Sequence, residues 1–202
     1  MDNEIDEIIT NSMWNPVETT NGVKVYSTKT KYSIMDAYLF ECTTIYYSKE
    51  QILNFIWNIY KNHTNISKYD SNIVKFDVLQ SYFDGNGVEI MKIIHQLNKS
   101  PIPYLMSPRD LVYRIIKTKD SISLNSIESD CIEIPNGTTR AIIHFCRFAV
   151  YEENNCRRIQ LIGLADPKGN FLPMLIYYYM KKMTVIISRL LSPGLETEFN
   201  NE

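Results

Sequence analysis

The chain reads as an α+β protein in which a curved antiparallel sheet wraps a long C-terminal helix and encloses an apolar cavity. Three observations predict this. In the last quarter, Leu172, Leu175, Ile176, Tyr179, Met183, Ile186, Ile187 and Leu190 recur at helical spacing, marking one apolar face of a helix from about Leu172 to Leu191. Nearly everything upstream has the β-branched and aromatic character of strands, with connections short enough to favour antiparallel neighbours. A terminal helix this apolar also needs a large concave apolar surface to lie on, so the strands must curve.

In chain order, residues 2–13 predict a short helix, with Ile5, Ile8 and Ile9 on one face and acids in the first turn; Trp14 and Pro16 end it. Val23 to Lys29 and Ile34 to Tyr47 read as strands. Ser48-Lys49-Glu50-Gln51 is a capping box, and the helix it opens turns Ile52, Phe55, Ile56, Ile59 and Tyr60 toward a core. Ile73 to Phe83 and Val88 to Leu97 form a hairpin about Asp84-Gly85-Asn86-Gly87. A loop with Pro101, Pro103 and Pro108 leads to strands at Leu111 to Lys117 and Ile122 to Ser129. Arg140 to Tyr151 and Arg157 to Ala165 make a last hairpin about Glu153-Asn154-Asn155. Asp166 to Pro173 is a turn with a helix start built in, Pro173 falling in the first helical turn, and Pro193-Gly194 stops the helix. No repeat, low-complexity stretch or linker divides the chain, so residues 1–202 are expected to form one domain.

Composition narrows the function. The chain has 202 residues, 45% of them hydrophobic, enough for a substantial core. A net charge of -2 and a pI near 6.0, with basic residues scattered, argue against a nucleic-acid partner. The acidic N-terminus has no secretory pattern, and the longest apolar run, Phe171 to Met180, is about half the ~20 residues of a membrane span. Cys42, Cys131, Cys146 and Cys156 show neither CxxC pairing nor zinc spacing. The expectation is a cytoplasmic, monomeric protein without cofactor or metal, peripheral to membranes at most.

Candidate chemistry is sparse. His63, His95 and His144 show no HxH or HxxxH spacing, and His95 with Asp70 is the best acid–base pair on offer. Arg109 and Asp110 read as loop-closing residues at a strand start, and Asp166 and Gly169 as turn residues before the last helix. Gly85 and Gly87 belong to a hairpin and not a phosphate loop, since no helix start follows. Lys181, Lys182 and Arg189 fall on the outward face of the last helix, to meet solvent or an anionic membrane surface.

Several landmarks occur in a familiar order. They are Trp14 followed by Gly22-Val23-Lys24-Val25-Tyr26; Tyr69-Asp70; Ser107-Pro108-Arg109-Asp110-Leu111-Val112; Thr139-Arg140-Ala141; and Asp166, Gly169 and Pro173. Over about residues 14–191 the chain resembles the START domains, the lipid-transfer modules related to the steroidogenic acute regulatory protein. Tyr69-Asp70 stands where the family usually has Trp-Asp, and one added residue near Asn170 alters the turn before the last helix.

The resemblance implies a helix-grip fold whose cavity shields one lipid, with no catalytic residues and no cofactor. It implies lipid-binding walls made by Leu172, Leu175, Ile176, Tyr179, Met183, Ile186 and Ile187 of the helix and by Ile94, Gln96, Tyr113 and Ile115 of the strands. The partners expected are a lipid, whether phospholipid, sterol or another, and a transient membrane contact. The acid–arginine pair of sterol-binding members would fall at Gln96 and Ile115, neither of them charged. The arginine of phosphatidylcholine-binding members falls at Ile66, although Asp70 is present, and Arg114 is one residue out of step, on the opposite strand face. Gln96 is then either a neutral headgroup partner or an ordinary sheet residue. Two rivals remain: an enzyme on the same fold acting on a small apolar substrate, and an interaction domain whose cavity has collapsed.

Overall fold

The structure, a computed structural model, describes residues 2–33, 35–100, 102–128, 132–169 and 182–193. The expected helix positions Leu172, Leu175, Ile176 and Tyr179 lie outside the described residues. After helix α1 (Asp2–Asn11) come β1 (Asn15–Thr20), β2 (Val23–Thr28) and β3 (Ala37–Thr44), then α2 (Lys49–Ile59) and α3 (His63–Ser67). The strands β4 (Ile73–Phe83), β5 (Glu89–Asn98), β6 (Arg109–Lys117), β7 (Ser121–Ser126), β8 (Thr139–Arg140), β9 (Ile142–Glu153) and β10 (Cys156–Asp166) follow. A helical segment at 182–188 runs into a 3-10 turn at Arg189–Leu191.

The strands form one ten-stranded sheet in the order β1-β2-β3-β10-β9-β7-β6-β5-β4, with β8 beside β6. Every pairing is antiparallel except the short β8 contact. The sheet curves but does not close, leaving β1 and β4 as edges.

The local signals explain most of these elements. Gln51 N–H donates to Ser48 Oγ at 3.2 Å and Ser48 N–H to Gln51 Oε1 at 2.8 Å, the two halves of the capping box that starts α2. Asp84 Oδ1 accepts from the N–H groups of Asn86 and Val88, each at 2.9 Å, and so closes the β4–β5 hairpin. Three elements go beyond the sequence expectation, the first being β8, which splits from the strand expected over Arg140 to Tyr151 and pairs in parallel with β6. β1 carries Pro16 and mostly exposed polar residues, which only an edge strand tolerates. α3 is a five-residue turn of helix capped by Asn62. The strand expected over Ile34 to Tyr47 is shorter at both ends, Ala37–Thr44.

Alternation along the strands divides the apolar residues between two faces. On the concave face, Ile52, Phe55, Ile56 and Trp57 of α2 pack with Phe40, Ile94, Tyr113, Ile115, Ile159 and Leu161, joined by Ile187 and Leu190 of the C-terminal segment. Burying a side chain such as Leu190, which is fully enclosed, contributes about 1.5–3 kcal/mol. On the convex face, Ile5 and Ile8 of α1 pack against Ala37, Leu39, Phe145, Ile162 and Leu164. Gly22 fixes the far end: its φ is +78°, and a Cβ there would sit 2.8 Å from Leu191 Cδ1.

Candidate functional site

Between the concave sheet and the C-terminal segment lies a cavity of about 350 Å³. Phe40 of β3, Leu111 of β6, Leu124 of β7, Ile143 and Cys146 of β9, and Leu161 of β10 supply its apolar wall. Met183 and Ile186 cover it from the helical segment. Gly163 of β10 also lines it; the nearest side-chain atom to a Cβ built there is Cys146 Sγ at 3.8 Å. Burial raises the thiols of Cys42 and Cys146 to about 12, with Glu41 adding for Cys42, so both are held as neutral S–H.

The polar residues that reach the cavity are Asp36, Tyr38, Tyr60, Asp70, Asn98, Arg109 and Lys182. Arg109 Nε donates to the Pro167 carbonyl at 2.6 Å and Nη2 to the Lys168 carbonyl at 3.1 Å, while Nη1 reaches Ser107. It therefore clamps the turn after β10. In that turn Asp166 Oδ1 accepts from Lys168 N–H at 2.8 Å. Burial alone would raise the Asp166 carboxyl, but the hydrogen bonds and charge of Lys168 outweigh it and hold the group below the usual aspartate value. Lys182 is ion-paired with Asp70, which also accepts from Asn72 N–H at 3.0 Å.

The expected wall residues separate into groups. Met183 and Ile186 line the cavity. Ile94, Tyr113, Ile115 and Ile187 sit in the packed concave core and are not among its described lining. Gln96 is buried, donating to Asn98 Oδ1 and accepting from the Tyr113 hydroxyl, each at 2.8 Å. Of the cations expected to face outward, Lys181 lies outside the described residues, Arg189 is exposed and Lys182 is not an outward cation. Lys182 bends its long stem to Asp70, and the Arg189 guanidinium stacks 4.8 Å over Tyr69.

His95 and Asp110 lie on the strand face opposite Asn98 and Arg109. His95 Nε2 is 2.5 Å from Asp110 Oδ1, Arg140 binds the other carboxylate oxygen, and Asp110 is wholly buried. This network ties β5, β6 and β8 together away from the cavity, so His95 and Asp70 are not brought together. His63 Nε2 contacts the Ile73 carbonyl at 3.2 Å. His144 lies in the β9 irregularity opposite Leu164 and Ala165. Burial lowers its pKa despite Asp166. Among the described residues, no three His, Cys, Asp or Glu side chains gather as a metal site, and no helix is long and apolar enough to cross a membrane. Sequence reasoning missed the strand side of the wall, including Phe40, Leu111, Leu124 and Leu161, and with it the polar residues Tyr60 and Asn98. The parity of β5, which sets Asn98 on the face of Gln96, was the available signal for Asn98.

A long curved antiparallel sheet with a C-terminal helix across its concave face defines the helix-grip fold of StAR-related lipid-transfer domains. Human StAR-related lipid transfer protein 5 superposes with a TM-score of 0.71 at 19% identity, covering 94% of this chain and 89% of that one. The lipid transfer and protein localization domain of human StarD13 gives 0.69 at 14% identity, covering 96% of each chain. A StAR-related lipid transfer protein fragment from Xanthomonas axonopodis gives 0.60 at 16%, covering 87% and 91%. No family model and no curated protein matches the sequence.

Proposed function

We propose that the chain is a non-enzymatic lipid-binding module that holds a single lipid in this cavity and transfers it between membranes or reports its presence. The observation that carries the reading is the cavity: about 350 Å³ of space, walled mainly by apolar side chains, on the concave face of an unclosed sheet. Packed interiors leave few voids larger than a water molecule, so a space of this size argues against a collapsed interaction domain. A lipid chain entering it gains about 0.8 kcal/mol per CH₂ removed from water.

Exchange with a membrane requires the wall to open. The loop at 102–106 and the C-terminal segment are the proposed gate. Tyr104 is fully exposed with φ +69°, and Leu105 beside it is largely exposed, so the loop offers apolar side chains to a bilayer surface. The position of His95 and Asp110 on the opposite strand face supports the non-enzymatic reading. Native mass spectrometry of the purified protein after exposure to mixed liposomes tests the proposal. One lipid per chain is expected, and a mass that stays at the bare polypeptide would reject it.

A further inference from the structure

The polar groups of the cavity wall differ in what remains for a ligand. Arg109 is engaged with Pro167, Lys168 and Ser107, Asp70 with Lys182, and Asp36 with Lys29 at 2.6 Å. Asn98, Tyr60 and Tyr38 are different, and of the two tyrosines it is Tyr60 that lies close enough to Tyr113 to act on it electrostatically. Tyr113 is 1% exposed, and its hydroxyl has one hydrogen-bond partner among the described residues, Gln96 Oε1 at 2.8 Å. Its proton must go there, because a buried hydroxyl left without an acceptor is costly. With its oxygen so occupied, Gln96 turns its Nε2 to Asn98 Oδ1, also at 2.8 Å. The relay thereby fixes the second amide: Asn98 must present its NH₂ on the free side.

Asn98 is 9% exposed and lines the cavity. Its Nδ2 has no partner among the described residues. The Tyr60 hydroxyl likewise has none among them, and Tyr60 lines the same cavity. Burial, with Cys146 and then Asp70 adding, keeps that phenol above the ordinary tyrosine value, so it meets a ligand as neutral O–H.

We propose that Asn98 and Tyr60 are the polar anchor of the cavity, and that the ligand is an uncharged lipid ending in a hydroxyl or carbonyl. This rests on the lipid-binding reading and names the ligand class for it. An acceptor oxygen satisfies the Asn98 amide, and Tyr60 can donate to the same oxygen or accept from a hydroxyl. A carboxylate or phosphate would enter a wall where Lys182 is ion-paired with Asp70 and the Arg109 guanidinium is committed to the Pro167 and Lys168 carbonyls and Ser107, and a buried charge without its own partner is strongly disfavoured. The volume agrees: 350 Å³ is near the bottom of the ~300–1,000 Å³ range for ligand pockets, room for one chain or one compact body and not for two acyl chains.

The test is displacement of the fluorescent probe N-phenyl-1-naphthylamine from the full chain by 1-dodecanol, dodecanoate and dodecylphosphocholine. The alcohol should displace it at roughly tenfold lower concentration than either charged analogue, a difference of one hydrogen-bond-sized step in affinity. Tyr60→Phe and Asn98→Leu should each remove most of that preference, read within each variant as the ratio of the displacing concentrations of the alcohol and the charged analogues. Tyr60→Phe deletes a single oxygen and decides the matter should Asn98→Leu not fold. Displacement by dodecanoate or dodecylphosphocholine equal to that by the alcohol overturns the anchor while leaving lipid binding intact. So does an unchanged alcohol preference in both variants. A wild-type chain that takes up neither the probe nor any of the three amphiphiles overturns the lipid-binding reading, and the anchor with it.

Discussion

Gly163 is the residue at which cavity and stability pull apart. It has ordinary backbone angles on an inward-facing strand position, and an added Cβ meets nothing closer than 3.8 Å. A β-branched side chain would suit the strand and fill part of the empty space. Gly163→Val should therefore raise stability by about 1 kcal/mol while lowering lipid uptake, read by thermal unfolding and native mass spectrometry on one sample. Greater stability with undiminished uptake would place the lipid elsewhere.

The buried phenols give a second residue-scale prediction. Burial is the main cause that raises Tyr38, Tyr60 and Tyr113 above the usual value of 10.0. The folded state thus holds these protons more tightly, and the stability this contributes is intact below pH 10 and lost as pH climbs from there toward the folded-state values. Lys92 acts in the opposite sense. Burial lowers it despite Glu89, so the unfolded chain binds more protons in the window below 10.5 and stability rises with pH there. Phenolate absorbance should show most of the 14 tyrosines titrating near their usual value, with a buried set appearing only on unfolding. Smooth titration of all of them in the folded protein would contradict this. None of these shifts is legible in the sequence. Tyr60 reads there as one more core position, and Asn98 falls one residue past the strand expected over Val88 to Leu97.

At the scale of elements, legibility follows how local the cause is. The start of α2 was readable because Ser48 and Gln51 satisfy each other's backbone neighbours within four residues of chain. The β4–β5 turn was readable because Asp84 bonds two amides just downstream. β1 was not, since its strand state depends on pairing with β2 and its polar, proline-bearing sequence has no strand preference of its own. α3 is too short to show a period. Over its described part, Met183 to Leu190, the helix stripe was legible as an apolar face, but a stripe that packs and a stripe that lines a void look alike in sequence. Ile187 and Ile186, adjacent in the chain, divide between those two roles. The α2 cap offers a direct check. Ser48→Ala removes one hydrogen bond and strands its reciprocal partner, and should cost about 1 kcal/mol, measured as a lower denaturation midpoint with an unchanged slope.

For the molecule as a whole, the open sheet leaves two edges to protect. β4 is long and exposes Val78 and Leu79, but its register with β5 is broken between Ile73 and Lys75, Val78 and Gln80, and Tyr82 and Phe83. Such irregularities bend an edge away from the flat template that would recruit another chain. The curvature that makes the cavity and the breaks that blunt the edge thus belong to the same sheet.

The sheet is also only one strand layer thick where α1 packs on it. Phe145 and Leu164 belong both to the cluster beneath α1 and to the cavity wall. Outside and inside are separated there by single side chains, a partition as thin as a drumhead. Whatever presses on it from within should register on the far side. Filling the cavity should slow amide exchange along α1 more than along the β4 edge, which makes the N-terminal helix an external gauge of whether the chain is loaded or empty.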